Sequence, residues 1–115
     1  MIRIEIIANQ SVQDELITNI ETLLPDMLYT VLPLANGKGK KSYKLGNATW
    51  PETNFVLVSY IEDEYKDTVS AIVSAVKNKF PDEGIKLFWI KAEDNFTGSA
   101  PLEKDAKSAG NEYTI

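Results

Sequence analysis

The seven residues from Phe55 to Ile61, FVLVSYI, read as a β-strand with apolar side chains on both sides. Successive strand side chains alternate, so Phe55, Leu57, Ser59 and Ile61 point one way and Val56, Val58 and Tyr60 the other. A half-solvated strand alternates polar with apolar residues, whereas a continuous apolar run calls for cover on both faces. That demand constrains how the other elements of the chain can be arranged.

Ile2 to Ala8 is a β-branched, alternating run and reads as the first strand. Asn9-Gln10 turns the chain, and Ser11 with Asp14 three residues on resembles a capping box. Val12, Leu16, Ile20, Leu23 and Leu24 then recur at helical spacing until Pro25. Leu28 to Leu34 is a second strand, which Pro33 assigns to a sheet edge. After Phe55–Ile61, Asp63 and Glu64 suit the positive end of a helix dipole and open a second helix. Val69, Ile72, Val73, Val76 and Phe80 form its stripe, and Pro81 ends it. Ile85 to Lys91 is a fourth strand, with Ile85, Leu87 and Trp89 opposed to Lys86, Phe88 and Ile90.

The order is β-α-β-β-α-β, an α+β, ferredoxin-like arrangement with both helices on one face of an antiparallel sheet. The domain is expected to span residues 1–91. Residues 92–115 turn to Asp, Asn, Gly, Ser, Lys and Glu and read as a polar, mobile tail. Two helices cover one sheet face only. The economical cover for the other is a second copy of the chain, the alternative being the tail folded back through Phe96, Leu102 and Tyr113.

Between the second and third strands lies a loop, about residues 35–53, far longer than the usual hairpin connection. It carries Lys38, Lys40, Lys41 and Lys44, with no acidic residue between Asp26 and Glu52. The chain as a whole has a net charge of -5, so positive charge is concentrated here on an acidic body. Such a body is repelled by nucleic acid and anionic membranes. Cysteine and histidine are both absent, which excludes disulfides, the common zinc and copper sites and His-dependent nucleophile systems. Ile2–Ile7 is too short and too charged for a secretory leader, and no apolar run reaches bilayer length, so cytoplasmic residence is the expectation.

The β-α-β-β-α-β order, the long loop and the cluster Gly37-Lys38-Gly39-Lys40-Lys41 together resemble the PII-like signalling proteins. Members of that family leave strand two through Gly-Phe-Gly-Arg-Gln-Lys and re-enter strand three through an apolar residue and proline, matched here by Trp50-Pro51. The resemblance covers Ile2 to about Lys91. It implies a homotrimer with sheets facing the centre and an adenine nucleotide or other anionic effector in clefts between subunits. The long loop, called the T-loop, would engage a partner protein, a transporter or an enzyme. Departures mark a divergent member: the Tyr-Arg-Gly-Ala-Glu-Tyr stretch is missing, and Glu52 stands where a lysine helps to bind 2-oxoglutarate. Pro81–Lys86 keeps one glycine of the phosphate-cradling Gly-Asp-Gly-Lys, and the C-terminal Arg-Thr-Gly-Glu run is absent.

Ligand binding is therefore expected at Gly37, Lys38, Gly39, Lys40, Lys41, Gly84 and Lys86. The glycines would let the backbone turn left-handed and form an anion nest, and the lysines would neutralise phosphate or carboxylate. The bland counterpart is a bent, solubilising loop, with Lys86 a solvated edge residue. Partner contact is expected at Tyr43, Lys44 and Trp50, although Trp50-Pro51 also reads as a loop anchor. Glu62, Asp63 and Glu64 read as a helix N-terminal charge cluster rather than a cation site, and Trp89 as core or interface. No catalytic residue, metal or cofactor is expected. A ligand-independent interaction module and a small ferredoxin-like enzyme are the alternative functions. For the sensor, the expected mechanism is that a bound anion orders a fluctuating loop.

Overall fold

The computed structural model describes residues 1–93. Strand β1 (Ile2–Asn9) leads through a 3-10 turn at Gln10–Val12 into helix α1 (Gln13–Leu23). Strand β2 (Thr30–Ala35) follows, then a two-residue pair β3 (Gly37–Lys38) and β4 (Tyr43–Lys44). Strand β5 (Asn54–Ile61), a 3-10 turn at Asp63–Tyr65, helix α2 (Lys66–Lys79) and strand β6 (Ile85–Lys91) complete the order. The main sheet runs β2-β5-β1-β6 and all its pairings are antiparallel. This is the α+β, ferredoxin-like arrangement, elaborated by a ribbon inside the long loop.

Register explains the core. Ile2, Ile4, Ile6 and Ala8 of β1 lie opposite Ile61, Ser59, Leu57 and Phe55 of β5, and all eight are buried. Val12, Leu16 and Ile20 of the first helical segment and Val69, Ile72, Val73 and Val76 of α2 close over them. Complete burial of one such side chain contributes roughly 1.5–3 kcal/mol. Ser59 is the one polar interruption of FVLVSYI, and its hydroxyl donates to the Leu28 carbonyl at the approach to β2. A buried hydroxyl thereby keeps a partner.

The opposite face carries Arg3, Glu5 and Ile7 of β1, Val56, Val58 and Tyr60 of β5, Lys86, Phe88 and Ile90 of β6, and Thr30 and Leu32 of β2. Among the described residues no helix covers it, and Leu32, Tyr60, Phe88 and Ile90 are exposed. Its centre is not purely apolar. Arg3 pairs with Glu5 at 3.0 Å and donates to the Tyr60 hydroxyl at 3.2 Å.

Several expectations are corrected. The side-chain cap is Asn9, whose Oδ1 accepts from the Ser11 amide at 3.0 Å, not Ser11. Leu23 ends its helix 60% exposed, because the chain turns away at Leu24 before the stripe completes another turn. Asp63 and Glu64 open a 3-10 turn and the α-helix begins only at Lys66. Strand two starts at Thr30 rather than Leu28; as expected, Pro33 sits on an edge strand. Register shifts between Leu32 and Ala35, and Leu34 takes a positive φ of 56°, so this edge is bulged. Trp89, expected in the core or at an interface, is 40% exposed and so outside the core, with the Lys66 ammonium 4.4 Å from its ring centroid. The mobile tail expected from Ala92 falls, from residue 94 on, outside the described residues.

Phe55→Ala is expected to lower stability by about 3–5 kcal/mol, as buried aromatic truncations do. Leu23→Ala should stay within ~0.5 kcal/mol of the parent, as exposed positions do. Urea unfolding followed by far-UV circular dichroism checks both.

Candidate functional site

The long loop is a jointed arm rather than a coil. Gly37 pairs with Lys44 and Lys38 with Tyr43, and the Gly39 amide donates to the Ser42 carbonyl at 2.8 Å, closing a small hairpin. The Tyr43 and Trp50 rings meet edge to face, 5.5 Å between centroids, and the Lys38 ammonium lies 5.7 Å from the Tyr43 centroid. Asn47 fixes Trp50, its Oδ1 accepting from the amides of Thr49 at 3.1 Å and Trp50 at 2.7 Å. This is an Asx turn, a local hydrogen bond that holds the chain where no sheet does. Trp50 thus anchors the arm to its own ribbon, not to the main sheet.

The arm is joined to the body at Asn9. That residue is buried, and each of its polar groups is engaged. Its amide donates to the Gly84 carbonyl at 3.0 Å, Oδ1 holds Ser11, and Nδ2 donates to Glu52 Oε2 at 2.9 Å. Glu52 Oε2 also accepts from the Lys44 ammonium. These contacts, Lys44 first, hold the Glu52 carboxyl below the ordinary glutamate range. Beside this joint Thr53 is buried, its hydroxyl donating to Gln10 Oε1, while the Gln10 amide donates to the Thr53 carbonyl at 3.0 Å.

Of the seven expected ligand residues, five stand on the arm, Gly84 lies in the turn before β6 and Lys86 within β6. The anticipated glycine nest is not built. Among the described residues only Leu34 and Gly46 have positive φ, and the Gly39 amide is used within the hairpin. Gly46, at φ 64°, makes the left-handed turn that lets its amide reach the Glu52 carbonyl at 3.1 Å. Gly37 matters for proximity, since a Cβ there would lie 2.6 Å from Asn54 Nδ2. Lys40 and Lys41 are exposed and make no ion pair among the described residues, so they are available to an anion. Lys44, expected to meet a partner, is ion-paired with Glu52. Lys86 lies on the uncovered sheet face opposite Ile7, with no ion pair to the arm. Gly84 joins the site only through its carbonyl.

Asn9, Glu52 and Lys77 were not singled out by sequence reasoning as a site. Lys77 donates to the carbonyls of Pro81 at 2.9 Å and Glu83 at 2.6 Å, pinning the turn before β6 that bears Gly84. A lysine near a helix C-terminus is the only local signal for it. At the other end of β5 a cavity of about 270 Å³ is lined by Leu23, Leu24, Met27, Ile61 and Tyr65 with Asp26 and Glu62. It lies away from the lysines and forms no part of this site. Among the described residues no cluster of His, Cys, Asp or Glu is arranged to hold a metal ion, and no helix is long and apolar enough to cross a membrane.

Neither a known protein family nor a curated protein matches the sequence. Solved structures do match. CPII, a nitrogen regulatory PII-like protein from Thiomonas intermedia K12 bound to ADP, AMP and bicarbonate, superposes with a TM-score of 0.56 at 12% identity. The match covers 81% of this chain and 88% of that one. A PII-like signaling protein from Thermus thermophilus superposes with a TM-score of 0.57 at 16% identity, over 77% and 83% of the two chains. The fold of this chain is that of the PII-like proteins.

The lowered Glu52 pKa fixes the sign of a pH effect. Its stabilisation is present above the unfolded pKa and is lost as pH falls through the folded one. Parent and Glu52→Gln should therefore differ at pH 7 by up to about 1 kcal/mol, the ceiling for an exposed pair. As pH falls below the ordinary carboxylate range towards the lowered folded pKa the difference should shrink, as urea unfolding at pH 7 and pH 3 would read.

Proposed function

We propose that this chain is a PII-like regulatory protein, assembled as a homotrimer, that binds an anionic metabolite and acts on a partner protein through its lysine-bearing arm. The observation that carries this reading is the arm itself. On an acidic body, Lys40 and Lys41 are held out, unpaired among the described residues, on a hairpin whose joint touches the Gly84 turn. In a PII-like fold whose solved relative binds ADP, AMP and bicarbonate, an adenine nucleotide is the first ligand to test, and bicarbonate the second. The uncovered sheet face supports assembly: Phe88, Ile90 and Tyr60 would be buried between copies, with Arg3 and Glu5 already paired to enter the interface. Gly37, Lys38, Lys40 and Lys41, with Gly84 and Lys86 of an adjoining copy or the same one, are the proposed ligand contacts. Tyr43 and Trp50 present the aromatic surface to the partner.

The ribbon changes the mechanism from ordering a coil to moving an arm. Its bonds between Gly39 and Ser42 and between Tyr43 and Trp50 are internal and travel with it. The same observation favours one second reading, a ligand-independent interaction module presenting a fixed aromatic and basic surface. The proposed place of action is the cytoplasm, and catalysis has no part in it.

A ligand that binds only the native state raises its stability by about 2.7 kcal/mol at a hundredfold excess over Kd. ADP, AMP and ATP, each with and without bicarbonate, should raise the melting temperature, and Lys40→Glu with Lys41→Glu should abolish that rise. Sedimentation should give the mass of three chains for parent and variant alike. A trimer that no nucleotide or bicarbonate stabilises, but whose arm still captures a partner, would establish the second reading instead.

A further inference from the structure

Two donors from different parts of the chain converge on one oxygen at the arm's joint. Asn9 Nδ2, from the end of β1, and the Lys44 ammonium, from β4, both donate to Glu52 Oε2. The donors are well fixed and the acceptor is not. Asn9 is buried, and its amide orientation is set by the Ser11 amide on Oδ1, so Nδ2 must face outward. Lys44 has a side chain only 21% exposed, whereas that of Glu52 is 51% exposed. A neutral amide N-H and an ammonium aimed at one point make an oxyanion site with charge-assisted hydrogen bonds.

We propose that Asn9 and Lys44 form an oxyanion-binding site which Glu52 occupies as an internal ligand, and that a small carboxylate or bicarbonate-like anion can take its place, bridging Lys44 of the arm to Asn9 of the body and freeing the Glu52 end. This deepens the functional reading above, on which it rests, by naming the contact through which an anion engages the arm. The tethered carboxylate is a competitor at high effective concentration. A lone monovalent anion therefore displaces it poorly, and a ligand that also reaches Lys40 and Lys41 does so readily. An exposed ion pair is a weak tie, which keeps the exchange within reach of such a ligand. The carboxylate of Glu52 thus sets a threshold: the site stays filled from within until an anion with more than one point of attachment arrives.

Acetate replaces the atoms that Glu52→Ala deletes, so it tests the site without any nucleotide. Relative to equal chloride, 0.2 M acetate should raise the melting temperature of Glu52→Ala by about 3 °C. It should leave the parent and the Lys44→Ala/Glu52→Ala double variant unchanged. Tryptic cleavage after Lys38, Lys40 and Lys41 should quicken about threefold in Glu52→Ala, as loss of a weak ion pair allows, and acetate should slow it again. Lys44→Ala should be cut as fast as Glu52→Ala with no rescue. Acetate acting equally on all variants, or parent-like cleavage of Glu52→Ala, would overturn the proposal. Because nucleotide is absent throughout, failure here is separate from failure of the nucleotide shift.

Discussion

Two helices cannot cover a four-stranded sheet on both sides, and most of the molecule follows from that limit. The helices take the face built by Ile2, Ile4, Ile6 and Ala8 with Phe55, Leu57 and Ile61, and the core is complete there. What remains is a face that is neither a solvent surface nor a finished interior. Its apolar groups, Leu32, Val56, Ile7, Phe88 and Ile90, surround a row in which Arg3 is bonded to Glu5 and Tyr60. A charge pair entering an interface already satisfied adds little cohesion but fixes how two surfaces can register. The face suits a specific assembly better than an indiscriminate one.

The joint of the arm depends on the same sheet from the other direction. Asn9 is the last residue of β1 and pairs in register with Asn54, the first of β5. The site where the arm leaves is thus fixed by the most central strand pair of the sheet. One buried residue caps the first helical segment with its side-chain oxygen, donates its side-chain N-H to the carboxylate of the arm and, through its backbone N-H, holds the turn before β6. Three segments that could otherwise move independently share this one anchor.

The strands and helices were legible because each leaves a period. Ile2–Ala8, Val69–Val76 and Ile85–Lys91 carry repeats long enough to name their element and its buried side. Pro33 marked its edge for a purely covalent reason, the missing donor. The hairpin was not legible, since two residues per strand are too few to show alternation. Nor was the joint: Asn9 and Glu52 are 43 residues apart, and an Asn after a strand reads locally as a turn. Lysine density correctly marked the loop but not the division of labour within it. Lys44 is paired, Lys38 leans on an aromatic ring, and Lys40 and Lys41 are free among the described residues, a distinction made only by tertiary contacts. The glycine nest implied by family resemblance gave way to a plain hairpin amide.

The bulge in β2 gives the sheet a direction. At that margin Pro33 lacks a donor and Leu34 turns left-handed, so an incoming extended peptide meets a broken row of backbone groups. At the far margin β6 runs seven residues without interruption, paired on one side only among the described residues. Among the described residues, strand addition is thus hindered at one border, while the border at β6 presents an unbroken row of backbone groups.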